Sequence, residues 1–131
     1  MNVETVVLDA QGLTQLIDGD RKLMARLRVA REAGATAVIS ANTIVEVSHS
    51  RLSEPRLNWA LSRVEVEPVT ADSAKASARL LKAAGMHGHE HALDATVAEV
   101  ALRQYGPTVV YTSDPDDMKR LCGDDIRIIV V

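Results

Sequence analysis

Phenylalanine is missing from this 131-residue chain, and aromatics together make up only 2% of it. Its core must therefore be assembled from Ala, Val, Leu and Ile, and the aromatic platforms on which nucleic-acid bases stack are largely lacking. Cysteine occurs once, as Cys122, so no internal disulfide can form and a reducing, cytoplasmic setting is expected. No run comes near the ~20 apolar residues of a membrane span, and the first residues lack the basic-then-apolar pattern of a signal peptide. There is no surplus of positive charge either. The formal net charge is −3, which does not advertise a nucleic-acid binder, although a local basic patch matters more than the sum. Linkers, internal repeats and low-complexity segments are absent as well.

What is present is an ordinary globular composition, 47% hydrophobic and 25% charged, which excludes a disordered chain. The length fits one domain over residues 1–131. Thr5-Val6-Val7-Leu8 is a β-branched apolar run that suits a strand (4–8) buried on both faces, as in a parallel sheet. Further strands are expected at 36–39, 64–69, 108–112 and 126–131. Glu65 and Glu67 alternate with valines, which marks the third of these as a half-exposed edge. Between the strands fall helices. One covers 12–17. A second starts at the N-cap Asp20, buries Leu23, Met24, Leu27, Ala30 and Ala33, and stops at Gly34. Ser40 starts a third, running to about 48, and Ser53 a fourth with Pro55 in its first turn. Thr70 starts a fifth that stacks Ala71, Ala74, Ala78 and Leu81. A loop at 86–91 holds His87, His89 and His91, and helices over 90–105 and 116–121 complete the chain. Strands alternating with helices imply a three-layer α/β/α fold around a five-stranded parallel sheet.

Four acids stand out by position. Asp9 ends the first strand, and burying it is costly unless that strand end opens into a site. Asp114 follows the fourth strand, with Asp117 one turn further on, so Asp9 and Asp114 project from the same edge of the sheet. Glu46 sits among Ile44, Val45 and Val47, and Asp94 among Leu93, Ala95 and Val97. Several carboxylates brought together repel one another unless a cation holds them. Oxygen-only ligation suits a hard ion, Mg²⁺ or Mn²⁺, which activates water and neutralises charge building up on a phosphodiester. Each acid also has a simpler reading: strand terminator for Asp9, solvated helix face for Glu46, helix-dipole partner for Asp94, and N-cap with a capping-box partner for Asp114 and Asp117.

The segments Val6-Val7-Leu8-Asp9-Ala10, Val38-Ile39-Ser40-Ala41-Asn42-Thr43-Ile44-Val45-Glu46-Val47, Leu93-Asp94-Ala95-Thr96-Val97-Ala98 and Val110-Tyr111-Thr112-Ser113-Asp114-Pro115-Asp116-Asp117 resemble a PIN-domain ribonuclease, most of all the VapC type of toxin–antitoxin pairs. The resemblance spans essentially the whole chain. It implies a Mg²⁺- or Mn²⁺-dependent endoribonuclease with Asp9, Glu46, Asp94 and Asp114 as metal ligands or their immediate supports. Asp117 would be a weaker candidate, and Thr112 or Ser113 would hydrogen-bond a ligand carboxylate or water. It also implies a homodimer held inactive by a cognate antitoxin. Two positions depart from the pattern: Gln11 stands where a small hydroxyl residue is common, and Ser40 where proline is frequent.

Other features carry weaker implications. Alternate histidines at 87, 89 and 91 suit a soft transition metal or a contact beside Asp94 with RNA or antitoxin, and a solvated loop is the simpler reading. Glu90 lies on the helical face of Asp94. Arg21 and Lys22 on the second helix, with Arg51, Arg56 and Arg63, are the best candidates to hold RNA phosphates, although a solvated basic face explains the same pattern. Trp59 and Cys122 read as packing residues. Two other functions compete with a nuclease. A catalytically weak or inactive PIN-fold module would act through protein partners, with Gln11 as its motive. A receiver- or phosphatase-type phosphoryl-transfer domain would want a second acid beside Asp9, which Ala10-Gln11 does not supply.

Overall fold

The computed structural model describes residues 2–131. The β-branched runs form strands β1 (Thr5–Leu8), β2 (Thr36–Ser40), β3 (Glu65–Glu67), β4 (Thr108–Thr112) and β5 (Arg127–Val130). Helices α1 (Ala10–Asp18) and α2 (Arg21–Glu32) follow β1, α3 (Ala41–Glu46) and α4 (Glu54–Leu61) follow β2, and α5 (Ala71–Ala84) and α6 (Gly88–Leu102) follow β3. Helix α7 (Pro115–Cys122) joins β4 to β5. The five strands form one all-parallel sheet in the order β3-β2-β1-β4-β5.

Alternation along the strands divides the core in two. Val6, Leu8, Ala37, Ile39, Val109 and Tyr111 pack with Leu13, Leu16, Leu23, Leu27 and Ala60 on the side of α1, α2 and α4. Val7, Val38 and Val110 pack on the other side with Ala95, Ala98, Met118 and Leu121 of α6 and α7. Burial of β1 on both faces is complete: each of its four residues is buried. No helix among the described residues is long and apolar enough to cross a membrane.

This order makes β1 and β4 neighbours from which the chain departs in opposite directions, to β2 on one side and β5 on the other. In an open parallel sheet such a switch point leaves a crevice at the C-terminal strand ends. Asp9 and Asp114 stand there.

Several expected boundaries move. The first helix begins at Ala10 rather than 12, because Asp9 itself caps it through the Gly12 N–H. The third stops at Glu46 rather than 48, and β3 contracts to Glu65–Glu67, keeping its edge position. Helix α6 begins at Gly88 and ends at Leu102, so His89 and His91 are helical rather than in a loop. Of the expected apolar face of α5 only Leu81 packs against the core: Ala71, Ala74 and Ala78 are exposed, and Ser73 and Ser77 are buried instead. Alanine gives little reason to bury a face, whereas the two hydroxyls are satisfied on the helix itself. Ser77 Oγ donates to the Ser73 carbonyl at 2.9 Å, and Ser73 closes a capping box with Thr70. Met24 and Ala33 of α2 are likewise exposed, leaving Leu23 and Leu27 as the buried pair.

Candidate metal centre

Strand β1 delivers Asp9 to the crevice with only 6% of its surface exposed. Its carboxylate is held from both sides: Oδ1 accepts the Gly12 N–H at 3.0 Å and Oδ2 accepts the Ser113 N–H at 3.2 Å. Gly12 makes the first of these possible, since α1 approaches β1 closely. A Cβ at position 12 would stand 3.2 Å from Leu8 Cβ. At the end of β4 the buried Thr112 turns the chain, its Oγ1 accepting the Asp114 N–H at 2.9 Å. The side chain of Asp114 makes no capping bond to α7 although the residue stands at its N-cap. Of the two supports expected here, Ser113 reaches Asp9 by its backbone N–H, and Thr112 holds the Asp114 turn.

The helices bring in the other acids. Ser40, wholly buried at the end of β2, caps α3 by accepting the Asn42 N–H at 3.3 Å, and Glu46 closes that helix. Asp94 lies in the second turn of α6, too far along for the first-turn dipole reading. The carboxyls sense one another. Burial, followed by the charges of Asp94 and Asp9, raises the Glu46 pKa. Burial also raises that of Asp94, with Asp114, Asp117 and Asp9 adding to it and His91 opposing. Asp114 is raised by desolvation and by its neighbour Asp117, again with His91 opposing. Asp9, Glu46, Asp94, Asp114 and Asp117 thus stand within one electrostatic neighbourhood.

His91 is the residue that sequence reasoning left in a loop. One turn before Asp94 on α6, its Nδ1 lies 3.8 Å from an Asp94 oxygen and 3.6 Å from an Asp117 oxygen. The three ligand atoms lie within 4.8 Å of one another, an arrangement able to hold a metal ion. The i, i+3 spacing of His91 and Asp94 was the available signal. That donor set, the Asp94 and Asp117 carboxylates plus one imidazole, fits a divalent cation.

The candidate phosphate-binding residues divide. Arg21 and Lys22 are exposed on the first turn of α2, and Arg51 is exposed between α3 and α4. Arg56 is engaged in the fold: its Nε and Nη2 donate to the Ile17 carbonyl at 2.9 and 2.7 Å, and its guanidinium lies 4.2 Å from the centre of the Trp59 ring. Arg63 packs on that ring as well. His87 and His89 are exposed. So is Gln11, which makes no side-chain hydrogen bond among the described residues. Burial pushes the Cys122 thiol up to about 12, so it stays protonated and packs into the core from the last turn of α7.

Comparison with known proteins agrees with this architecture. A family model described as PIN domain matches residues 6–124. No curated protein matches the chain by sequence. Among solved structures, VapBC2 from Rickettsia felis, bound to a DNA fragment from its promoter, is similar with a TM-score of 0.72 at 16% identity, over 97% of this chain and 98% of that one. FitAB bound to an IR36 DNA fragment is similar with a TM-score of 0.60 at 16% identity, over 95% of this chain and 94% of that one.

Proposed function

The chain belongs to the PIN domain family, and from that premise we propose that it is a metal-dependent endoribonuclease, the toxin of a VapC-type toxin–antitoxin pair. What supports this reading is the approach of the Asp94, Asp117 and His91 ligand atoms to within 4.8 Å of one another, with Asp114 and Asp9 near enough for their charges to raise the pKa of Asp94, and Asp94 and Asp9 near enough to raise that of Glu46. Such a concentration of carboxylates is expensive unless a cation is part of the working protein.

Asp9, Asp94 and Asp114 would hold Mg²⁺ or Mn²⁺, with Asp117 a weaker ligand. When bound, the ion supplies an activated water and neutralises the charge that develops on a phosphodiester. The chain's own residues do the rest. Asp9 is fixed by two backbone N–H donors, so its remaining lone pairs keep one direction. Glu46, with its raised pKa, is suited to take a proton from the attacking water. Arg21, Lys22 and Arg51 are exposed and suit the phosphates of a single-stranded or looped RNA. Arg56 suits that role less, because its guanidinium is engaged with Ile17 and Trp59. A cognate antitoxin would close the site, and the working unit would be a cytoplasmic homodimer. The competing reading, an inactive module acting through partners, took its motive from Gln11. That residue is exposed, and no site carboxylate is replaced.

The test is cleavage of a single-stranded RNA by the metal-loaded protein, with Asp94→Ala and a chelator as controls. Both controls should abolish cleavage. An Asp94→Ala protein that still cut RNA in chelator would overturn the mechanism.

A further inference from the structure

We propose that His91 is a nitrogen ligand of this metal centre, and that it biases the site toward first-row transition ions such as Mn²⁺ and away from Mg²⁺. The inference rests on the reading of the acid cluster as a cation site. It goes beyond that reading by assigning a ligand of a different chemical class.

The geometry makes the case. His91 Nδ1 faces two carboxylates at once, 3.8 Å from Asp94 and 3.6 Å from Asp117. Both separations exceed hydrogen-bond distance. They are nevertheless within reach of a shared ion, since two donors bound at about 2.1 Å can stand up to about 4.2 Å apart. The other ring nitrogen, Nε2, faces the Glu90 carboxylate at 3.7 Å. That separation is also beyond hydrogen-bond distance, so the Nδ1 side, which faces two carboxylates, is the one placed to meet an ion. The side chains of His91, Asp94 and Asp117 are 22%, 28% and 24% exposed, so an ion among them keeps access to water.

The chemical consequence follows from ligand type. Mg²⁺ prefers oxygen donors and sheds water reluctantly, whereas imidazole suits transition ions. A site of carboxylates alone discriminates weakly between Mg²⁺ and Mn²⁺, and one imidazole among them tilts it toward Mn²⁺.

The test uses the full chain, stripped of metal and reloaded with Mn²⁺ alone. Pulsed electron paramagnetic resonance should detect coupling of the bound Mn²⁺ to one nitrogen, with a frequency that changes on ¹⁵N-histidine labelling. The coupling should vanish in His91→Asn. Calorimetric titration of that variant should show Mn²⁺ affinity reduced by at least about tenfold, with Mg²⁺ affinity unchanged within about threefold. Asp94→Asn should lose both ions. Bound Mn²⁺ without nitrogen coupling, or coupling that persists in His91→Asn, removes His91 from the site while leaving the metal centre in place. A wild-type protein that binds neither ion overturns the metal centre itself and this proposal with it. The labelling measurement needs no variant, so the conclusion does not depend on His91→Asn folding.

Discussion

The carboxylate of Asp9 accepts the backbone N–H of Ser113 at 3.2 Å, a bond between residues 104 positions apart in the chain. It ties the end of β1 to the turn after β4, while the other Asp9 oxygen caps α1. One side chain therefore helps to build the crevice and to furnish it. Asp9→Asn keeps the shape but turns one acceptor into a donor, so either the Gly12 or the Ser113 N–H meets an NH₂ group. A buried donor left without an acceptor costs about 1–3 kcal/mol. The expected outcome is an inactive protein that also unfolds at lower urea concentration than wild type.

Gly12 supplies the other half of that arrangement. A methyl group at position 12 would meet Leu8 Cβ and Cδ2, both at 3.2 Å, and Leu8 is fully buried with nowhere to go. Gly12→Ala gains about 1 kcal/mol of helix propensity but must lift α1 off β1, and overpacking of this kind costs about 1–3 kcal/mol. We expect net destabilisation, read as a lower unfolding midpoint. RNA cleavage should fall as well, because the lift also loosens the cap on Asp9. A more stable Gly12→Ala protein would show that the close approach is not under strain.

How much of this was legible beforehand depended on how local each feature is. Strands β1, β2 and β4 announce themselves because burial on both faces demands uninterrupted apolar β-branched runs, and Asp9 and Asp114 are conspicuous as the charges that end two of them. The start of α6 gave no such signal. Its first helical residue is Gly88, a poor helix former, and His87 makes no side-chain capping bond. Residues 86–91 read as a loop for that reason, and although a helix from about 90 already contained His91, its i, i+3 relation to Asp94 was passed over. The approach of His91 to Asp117 joins α6 to α7, and no spacing rule reports a contact between two helices. The buried serines of α5 were invisible for a different reason: their hydroxyls are satisfied on their own helix, so polarity did not keep them at the surface. Arg56 looked like a phosphate ligand because its partner, the Ile17 carbonyl at the end of α1, is distant in sequence.

That Arg56 contact gives a prediction separable from catalysis. Its guanidinium donates twice to Ile17 and lies over Trp59. Lysine can neither fork onto one carbonyl nor stack in the same way. Arg56→Lys keeps the charge and should lower stability by about 1–2 kcal/mol. The folded fraction should bind RNA as well as wild type does. Equilibrium unfolding and an RNA-binding titration on one preparation check both parts. Weaker RNA binding with unchanged stability would return Arg56 to the phosphate-binding set.

The acid cluster makes the last prediction, which concerns the protein without metal. Asp94, Glu46 and Asp114 have folded-state pKa values raised above their ordinary values of 3.8, 4.5 and 3.8. Above those values the native state therefore holds protons that the unfolded chain has released. Their contribution is fully present below the ordinary values and is lost as pH rises through the folded values, so these groups make the metal-free protein less stable toward neutral pH. Asp94→Asn removes the charge that burial and its neighbours penalise most broadly. At about pH 7 the metal-free variant should be more stable than wild type, by on the order of 1 kcal/mol, and near pH 4 the difference should shrink. Adding Mn²⁺ at about pH 7 should reverse the ranking. Binding stabilises wild type by about 2.7 kcal/mol at a hundred times the dissociation constant and leaves the variant where it was. Thermal unfolding of both proteins, with chelator and with Mn²⁺ at the two pH values, reads all four arms. A metal-free wild type that is more stable than Asp94→Asn at neutral pH would mean that the carboxylates do not strain one another, and the electrostatic case for a cation would lose its footing.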